Sequence, residues 1–511
     1  MIKKQLLISC LFLLALRAFS QVPGSLDNSF NGTGYVITNV STGDDWGRSV
    51  IIQPNGRIVV AGRSYDSQWK FSMVRYLTNG TMDASFGNAG KVVTAVGMEG
   101  EAYGMARQSD GKLVLAGDYN NGSNYDFALA RYDSTGVLDP SFSSNGLLST
   151  ALGSSQDVAH VVAIQPDQKI VVAGYSSNGT YHKIGVVRYN TDGSLDGTFG
   201  SGGIVVTTVG SLDDDAYGLL IQPDGKILVA GYTNNGSTNQ GVIIRYTATG
   251  TLDNTWGTGG IALAPNTGGY DTFFSLAIES SGKILAAGYH SVTTTNRDFA
   301  ILRYTTTGVL DNTFGTNGVR LTDFSGNNDE VYGLLIQPDG MLVAAGYSNN
   351  GTANTFALAR YSSTGTIDAA FGNSGKVTTA LGNPDAYGIS VALQTDGKIV
   401  VAGRANGATN IDFAVARYNG TLTTGIQENS LNNSISIYPN PSDDKININI
   451  PESIGGRQNI LTIYDTHGLL VKKISLNNLT TSVDLSSFSK GLYFINIEMD
   501  GKNMTEKFIR E

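Results

Sequence analysis

A unit of 56 to 58 residues recurs seven times along most of this 511-residue chain. Each unit has an Ala-Gly pair and, further on, an Arg-Tyr pair that ends an apolar run. The arginines of these pairs are Arg75, Arg131, Arg188, Arg245, Arg303, Arg360 and Arg417. A repeat of this length is one supersecondary unit that buries its apolar faces against its neighbours. The repeat therefore decides the fold.

Each unit reads as four short antiparallel strands. In the fourth unit, an apolar run over 217–221 is followed by the turn Gln-Pro-Asp-Gly, a second strand over 226–232, a third over 241–246 and a fourth over 261–264. The 64 glycines and the charged content of only 15% suit short strands and tight turns. The chain is predicted to be all-β, with a seven-bladed β-propeller as the favoured architecture and an open solenoid as the alternative.

The two ends of the array favour a closed ring. An aspartate stands eight residues after each of the first six arginines, whereas Arg417 has Gly425 at that place. Asp27, near the N-terminus, has no upstream arginine and is followed by a strand over 35–40. The N-terminal strand is therefore predicted to complete and close the last blade. The aspartates of this series are Asp27, Asp83, Asp139, Asp196, Asp253, Asp311 and Asp368.

The blocks Gln-Pro-Asp-Gly-Lys, Val-Ala-Gly-Tyr, Ala-Arg-Tyr and Leu-Asp-x-x-Phe-Gly resemble the delta-sixty repeat, a bacterial propeller family of mostly undefined function. The resemblance covers about residues 24 to 420. Gln168, which replaces the turn glycine of the third unit, departs from it. The resemblance implies a fold and no activity.

The last part of the chain changes in composition. From Ile435 it has about seven short strands, which predict a small immunoglobulin-like β-sandwich. Tyr-Pro-Asn-Pro at 438–441, Asp-Leu-Ser at 484–486 and Lys-Gly-Leu-Tyr at 490–493 are similar to the type A sorting domain of type IX secretion. That resemblance implies a Gram-negative host of the Bacteroidota, handling by the type IX machinery through residues 435–511, and release to the outer cell surface or the medium. An ordinary adhesive sandwich is the alternative.

The N-terminus reads as a secretory signal peptide over 1–20, with Lys3 and Lys4, an apolar run from Leu6 to Leu16, and a small-residue site before Gln21. Cys10, the one cysteine, also matches a lipoprotein processing box, which is the weaker interpretation. The predicted organisation is a signal peptide 1–20, a propeller 21–420, a linker 421–434 and a sorting domain 435–511. No transmembrane segment is expected in the mature chain.

Charge and motif content exclude several classes of function. A formal charge of −9 without a basic cluster argues against nucleic acid as a partner. The histidines His160, His182, His290 and His467 share no metal-ligand spacing, and no nucleophile elbow or phosphate-binding loop occurs. We expect no catalytic residue and no cofactor, apart from calcium as discussed next.

Two charged sets recur. The arginine and aspartate series are predicted to pair within each blade as structural elements, because one active site does not need seven copies. A second acidic set precedes the first strand of each unit and consists of Asp45, Glu101, Asp157, Asp215, Asp271, Glu330 and Asp385. These carboxylates are candidates for a ring at one mouth of the central channel. Turn capping and binding of calcium or another ligand both remain open for them.

The loops divide into a uniform and a variable group. Turns from the first to the second strand and connections from the third to the fourth are nearly constant, so they are expected on one face; the remaining loops vary and are expected on the other. The variable group carries Trp46, Tyr65, Trp69, Tyr125, Tyr181 and Tyr270. Variable loops on a rigid scaffold favour a non-catalytic protein that binds a glycan or a protein. A polysaccharide-acting enzyme and a structural surface protein are the alternatives.

Overall fold

The computed structural model describes residues 22–236, 238–265, 269–293, 296–382, 384–420, 436–439, 441–449, 459–465, 470–476, 480–499 and 502–510. The chain divides into two compact units, Met1–Leu422 and Thr423–Glu511. The predicted signal peptide with Cys10, the predicted linker and His467 lie outside the described residues. Within the described ranges, no helix has the length and apolarity to span a bilayer.

The first unit contains seven four-stranded antiparallel sheets, one per repeat. The first strands of adjacent sheets contact one another all the way round, so they surround a central axis. These inner strands are β2 (Asp45–Ile52), β6 (Ala102–Arg107), β10 (Asp157–Ile164), β14 (Asp214–Ile221), β18 (Tyr270–Ile278), β22 (Asp329–Ile336) and β26 (Ala386–Leu393). The second strands are β3 (Ile58–Tyr65), β7 (Leu113–Asn120), β11 (Ile170–Ser177), β15 (Ile227–Asn234), β19 (Ile284–Thr293), β23 (Leu342–Asn349) and β27 (Ile399–Asn406).

The third and fourth strands complete each blade outwards. The third strands are β4 (Trp69–Tyr76), β8 (Tyr125–Tyr132), β12 (His182–Tyr189), β16 (Asn239–Tyr246), β20 (Asn296–Tyr304), β24 (Asn354–Tyr361) and β28 (Ile411–Tyr418). The outer strands are β1 (Tyr35–Thr38), β5 (Lys91–Thr94), β9 (Leu147–Thr150), β13 (Ile204–Thr207), β17 (Ile261–Leu263), β21 (Val319–Thr322) and β25 (Lys376–Thr379).

The predicted closure is confirmed by strand β1. It pairs with β28 antiparallel, Tyr35 opposite Ala416, so the N-terminal strand is the outer strand of the seventh blade. The inner strand β26 of that blade contacts β2 of the first blade. These contacts close the ring and leave no unpaired blade, which excludes the open solenoid.

The apolar core lies between blades. Seven buried clusters each combine side chains of two adjacent blades, and the cluster of the seventh and first blades unites Val400 and Phe413 with Val50 and Val60. In five of the seven repeats the tyrosine of the Arg-Tyr pair links adjacent blades, because its hydroxyl donates to a threonine at the end of the preceding outer strand at 2.7–2.9 Å. These pairs are Tyr76 with Thr38, Tyr189 with Thr150, Tyr246 with Thr207, Tyr361 with Thr322 and Tyr418 with Thr379.

The loops lie on two faces as predicted. Turns between first and second strands meet the connections between third and fourth strands, as in the ion pairs Lys112 with Asp139 at 3.4 Å and Lys226 with Asp253 at 3.2 Å. We call this the uniform face. The other loops meet each other at the opposite end, where the Leu212 N–H donates to the Asn234 carbonyl at 3.0 Å. We call that end the variable face.

The second unit has two sheets. One contains β29 (Ser436–Tyr438), β30 (Lys445–Asn449) and β33 (Thr480–Asp484); the other contains β31 (Asn459–Tyr464), β32 (Leu470–Leu476), β34 (Gly491–Met499) and β35 (Lys502–Arg510). Ile446 and Val483 of the first sheet share one core with Leu461, Ile463 and Ile495 of the second. Two sheets around one core form the predicted sandwich.

Candidate functional site

Every inner strand carries a β-bulge, and the bulge positions line the axis. The bulge leaves room only for the glycine of the Ala-Gly pair, because a Cβ on Gly231 would stand 1.8 Å from the carbonyl oxygen of Asp215. The strand register then skips one residue after Ala216, and Tyr217 is left unpaired. The residues at this position in the seven blades are Arg48, Tyr103, His160, Tyr217, Phe274, Tyr332 and Ile389.

These seven side chains surround an axial cavity of about 590 Å³. Tyr232, Tyr289, Arg297 and Glu330 complete much of its wall. The rings form a continuous aromatic surface on one side, since His160 stacks on Tyr217 with centroids 4.6 Å apart and Phe274 stacks on Tyr332 at 4.5 Å. The cavity thus presents aromatic faces together with charged and hydroxyl groups.

Carboxylates two residues upstream hold three of the cavity tyrosines. The Tyr103 hydroxyl donates to Glu101 at 2.7 Å, the Tyr217 hydroxyl to Asp215 at 3.0 Å and the Tyr332 hydroxyl to Glu330 at 2.8 Å. Glu330 is also paired with Arg297, and Glu101 with Arg63. These acids therefore have partners and orient the rings beside them.

The seventh and first blades differ from the others. Arg63 and Arg404 stack on the indole of Trp46 at 3.8 and 3.7 Å, and Arg48 lies 5.0 Å from the same ring. We call Arg48, Arg63, Arg404 and Trp46 the arginine cluster. Burial, followed by the charge of Arg48, lowers the pKa of Arg63 to about 9 and that of Arg404 to about 10.

The structure does not bring the seven predicted carboxylates into one ring. Asp45 caps the loop before its strand, because its Oδ2 accepts the Val40 and Ser41 N–H groups at 2.6 and 3.0 Å. Asp157 does the same with the Leu152 and Gly153 N–H groups at 2.7 and 3.0 Å. Turn capping is thus their role.

The register explains the other members of the predicted ring. In the fourth and sixth blades the capping residues are Asp214 and Asp329, one place before the predicted Asp215 and Glu330. Those two side chains and Glu101 instead contact the cavity tyrosines. Asp271 contacts His290 at 2.6 Å. Asp385 stands one place before the capping position of its blade, and it accepts hydrogen bonds from Asn354 at 2.8 and 3.0 Å.

The predicted pairing of arginine with aspartate occurs in all seven blades, at 2.6–3.0 Å. The Arg417 guanidinium pairs at 2.8 Å with Asp27, which is fully buried. Each arginine also donates to a backbone carbonyl of the next blade, and Arg417 reaches Thr78 of the first blade. We call these pairs the staples, because they link adjacent blades around the uniform face.

The described histidines do not meet. His160 lies in the cavity, His182 stacks on Tyr175 at 3.9 Å, and the pKa of His290 is raised by its hydrogen bond to Asp271. In the described part of the chain, one acidic group has metal-ligand spacing and consists of Asp298, Asp323 and Asp329. Burial and the charges of the other two raise the pKa of Asp329 to about 6. This group is not the predicted ring.

Three of the six aromatic residues predicted for the variable loops, Trp46, Tyr65 and Trp69, come together. Trp69 contacts Trp46 at 6.0 Å and Tyr65 at 5.2 Å, whereas Tyr125 binds Glu99 and stands in another blade. Sequence reasoning missed the bulge residues and the arginine cluster. Their signal was present in the repeat: the residue paired with each Ala-Gly glycine immediately precedes a cavity side chain.

A closed ring of seven four-stranded blades around a ligand-sized axial cavity defines a seven-bladed β-propeller. The family described as a domain of unknown function (DUF5122) beta-propeller matches residues 53–86, 108–142, 165–199, 222–255, 279–314, 337–371 and 394–423. A secretion system C-terminal sorting domain matches residues 436–511. The chain belongs to these repeat propellers, and its tail marks it for type IX secretion to the cell surface or extracellular space.

Known proteins resemble parts of the chain. Beta-agarase A of Zobellia galactanivorans is 36% identical over 61 residues, which are 12% of this chain and 11% of that protein. PorZ of Porphyromonas gingivalis, a surface component of the type IX system, is 12% identical with a TM-score of 0.39, covering 90% of this chain and 58% of that one. A Lactobacillus plantarum protein is 12% identical with a TM-score of 0.41, covering 72% and 97%. The chain thus spans about a tenth of the curated relative. Neither matched family description names a catalytic activity.

Proposed function

We propose that this secreted propeller is a non-catalytic binding protein that holds a saccharide in its axial cavity. The observation that supports this is the ring of bulge side chains around about 590 Å³. That volume lies within the range of pockets that enclose small ligands. Sugar rings offer apolar faces that pack on aromatic side chains and hydroxyls that need hydrogen-bonding partners, and the cavity supplies both.

The cavity is also preorganised. The hydroxyls of Tyr103, Tyr217 and Tyr332 are bound to neighbouring carboxylates, so these rings need not be ordered when a ligand enters. Binding to a fixed site loses less side-chain entropy than binding to a mobile one. This favours a recognition site over an accidental void along the axis.

The alternative of a polysaccharide-cleaving enzyme rests on one acidic pair, Asp118 and Glu101. Asp118 stands where the other blades have tyrosine or arginine, and burial raises its pKa to about 7, which suits a general acid. However, Asp118 is only 4% exposed, and its Oδ1 accepts the Glu101 N–H at 2.8 Å. Glu101 is itself paired with Arg63. A glycosidase needs two carboxyl groups that reach the substrate, so binding is the better supported function.

A screen of the full chain on a glycan array, followed by calorimetry, tests this function. We expect a saccharide to bind, and Tyr217→Ala to weaken its affinity about tenfold through loss of a stacking surface. Tyr181→Ala, a tyrosine change in a variable loop, is the matched control and should leave affinity unchanged. Retention of an outer-membrane protein with no bound glycan would instead support a protein ligand. Cleavage of the glycan that is lost in Asp118→Asn would establish the enzyme.

A further inference from the structure

The arginine cluster has more positive charge than its surroundings balance. Among the cavity and cluster residues, Arg63 is paired with Glu101 and Arg297 with Glu330. The guanidinium groups of Arg48 and Arg404 form no hydrogen bond or ion pair with any residue in the described ranges. Buried charges in proteins are normally paired, because an isolated charge loses its hydration without compensation. Two guanidinium groups beside one cavity are therefore left without a counterion.

The unsatisfied groups of the cluster are all donors. Within the described residues, no acceptor meets the buried Nε atoms of Arg48, Arg63 and Arg404, the Nη1 of Arg404 or the indole Nε1 of Trp46. A buried donor without an acceptor costs the protein its desolvation energy. A group with several acceptor oxygens and a negative charge would satisfy these donors at once. Arginine offers such a group two parallel N–H bonds.

The cluster is not part of the structural repeat. Arg63 and Arg404 occupy a second-strand position where four other blades have tyrosine and the second blade has Asp118. Their cross-strand partners are Trp46 and Tyr387, which are also specific to these two blades. The charges therefore serve something that the other five blades do not share.

Repulsion among the three guanidinium groups of the cluster also favours binding of an anion. Burial and then the charge of Arg48 lower the pKa values of Arg63 and Arg404, although a guanidinium keeps its proton in proteins. The ligand-free protein thus holds three neighbouring positive charges at a cost. An anion would relieve that cost on binding, which adds to its affinity.

We propose that the arginine cluster binds the carboxylate or sulfate group of an acidic saccharide whose sugar rings occupy the axial cavity. This inference rests on the proposed saccharide-binding function and adds the chemical class of the ligand. Arg48 connects the two, because it belongs both to the cavity wall and to the cluster.

The test compares matched ligands on the full chain. A uronic-acid oligosaccharide and its carboxyl-reduced counterpart form one pair, a sulfated oligosaccharide and its desulfated form make a second, and inorganic sulfate alone is the third arm. Affinity is measured by calorimetry for each ligand and each variant. The variants are Arg48→Met and Arg404→Met, which remove charge but keep an unbranched chain. Arg107→Met on β6, at the uniform end of its strand, is the control.

We expect at least one acidic ligand to bind tenfold or more tightly than its neutral counterpart. Arg48→Met and Arg404→Met should abolish that difference, and Arg107→Met should leave the affinities of both ligands unchanged. Equal binding of acidic and neutral ligands would overturn the inference and leave the proposed function standing. Arginine-dependent binding of sulfate without any oligosaccharide binding would overturn the proposed function and the saccharide part of this inference, and would leave only an anion site at the cluster. Acidic-ligand binding that survives both arginine variants would also overturn the inference.

Discussion

The two faces of the propeller use arginine in opposite ways. On the uniform face each staple arginine has an aspartate, a backbone carbonyl of the next blade and an aromatic ring below it, as Arg188 has Asp196, Ala248 and Phe199. Near the variable face, Arg63 of the cluster is paired with Glu101, whereas the guanidinium groups of Arg48 and Arg404 have no acidic partner among the described residues. The difference shows that repetition builds the scaffold, whereas departure from the repeat builds the candidate site.

The largest effect is expected where the ring closes. Arg417→Ala removes the partner of the fully buried Asp27 and the link to Thr78 of the first blade. An unpaired buried carboxylate should lower the free energy of unfolding by about 3–5 kcal/mol. Urea denaturation of Arg417→Ala against Lys398→Ala measures it, because Lys398 approaches the same aspartate only at 3.8 Å. Equal midpoints for the two variants would show that the staples do not carry stability.

The second prediction concerns the bulge that distinguishes the axial side of each blade. Gly231→Ala places a methyl group against the Asp215 carbonyl oxygen, at 1.8 Å before relaxation. The strand must move or the bulge must unwind, at about 3 kcal/mol. The control Gly197→Ala adds the same methyl group where nothing lies within 4 Å, so it should change stability by less than about 0.5 kcal/mol. Similar losses of stability in both variants would show that the bulge does not require glycine at position 231.

The two faces should also respond to pH with opposite sign. Burial raises the pKa of Asp118 to about 7, so its contribution to stability grows as the pH falls from 7 towards 4, by up to roughly 1.4 kcal/mol per pH unit. Burial opposes the shift at the staple residue Asp139, but hydrogen bonds from Ser141 and the charge of Arg131 lower its pKa to about 2. Its contribution is therefore complete above pH 4 and is lost as the pH falls towards 2.

Melting temperatures from pH 2 to 8 separate these two groups. Asp118→Asn should remove the gain between pH 7 and 4, and Asp139→Asn should remove part of the acid loss below pH 4. If Asp118→Asn follows the wild-type curve through the upper interval, the carboxyl of Asp118 does not take up a proton there.

The repeat made the propeller scaffold predictable from the sequence, but it did not lead to the axial cavity. Seven blades, the closing strand and the staples followed from spacing, because every copy of Arg-Tyr and its aspartate repeats the same contact. Turn capping, one of the two roles left open for the acidic set, occurs at Asp45 and Asp157. The set nevertheless combined three neighbouring positions, and Asp214 and Asp215 show that a shift of one residue turns a loop cap into a cavity contact. The bulge sets that register, and each bulge residue stands 14 residues before the glycine of its Ala-Gly pair, as Tyr217 does before Gly231, a spacing on which the acidic set was not aligned.

The smallest expected change in stability is that of Arg48→Met, and its sign shows whether the arginine cluster lacks a counterion. Arg48 lies in the cavity wall without an acid, close enough to lower the pKa of both Arg63 and Arg404. Arg48→Met should therefore stabilise the ligand-free protein by about 1 kcal/mol, because an unpaired, partly buried charge is replaced by an apolar chain of similar length. Its cation–π contacts are long, at 5.0 and 5.4 Å, so little attraction is lost. The same substitution at a staple, Arg188→Met, should destabilise, and urea midpoints measured side by side give both signs. A destabilised Arg48→Met would mean that the cluster is satisfied within the protein, and the contrast between the two faces would then be one of position rather than of charge balance.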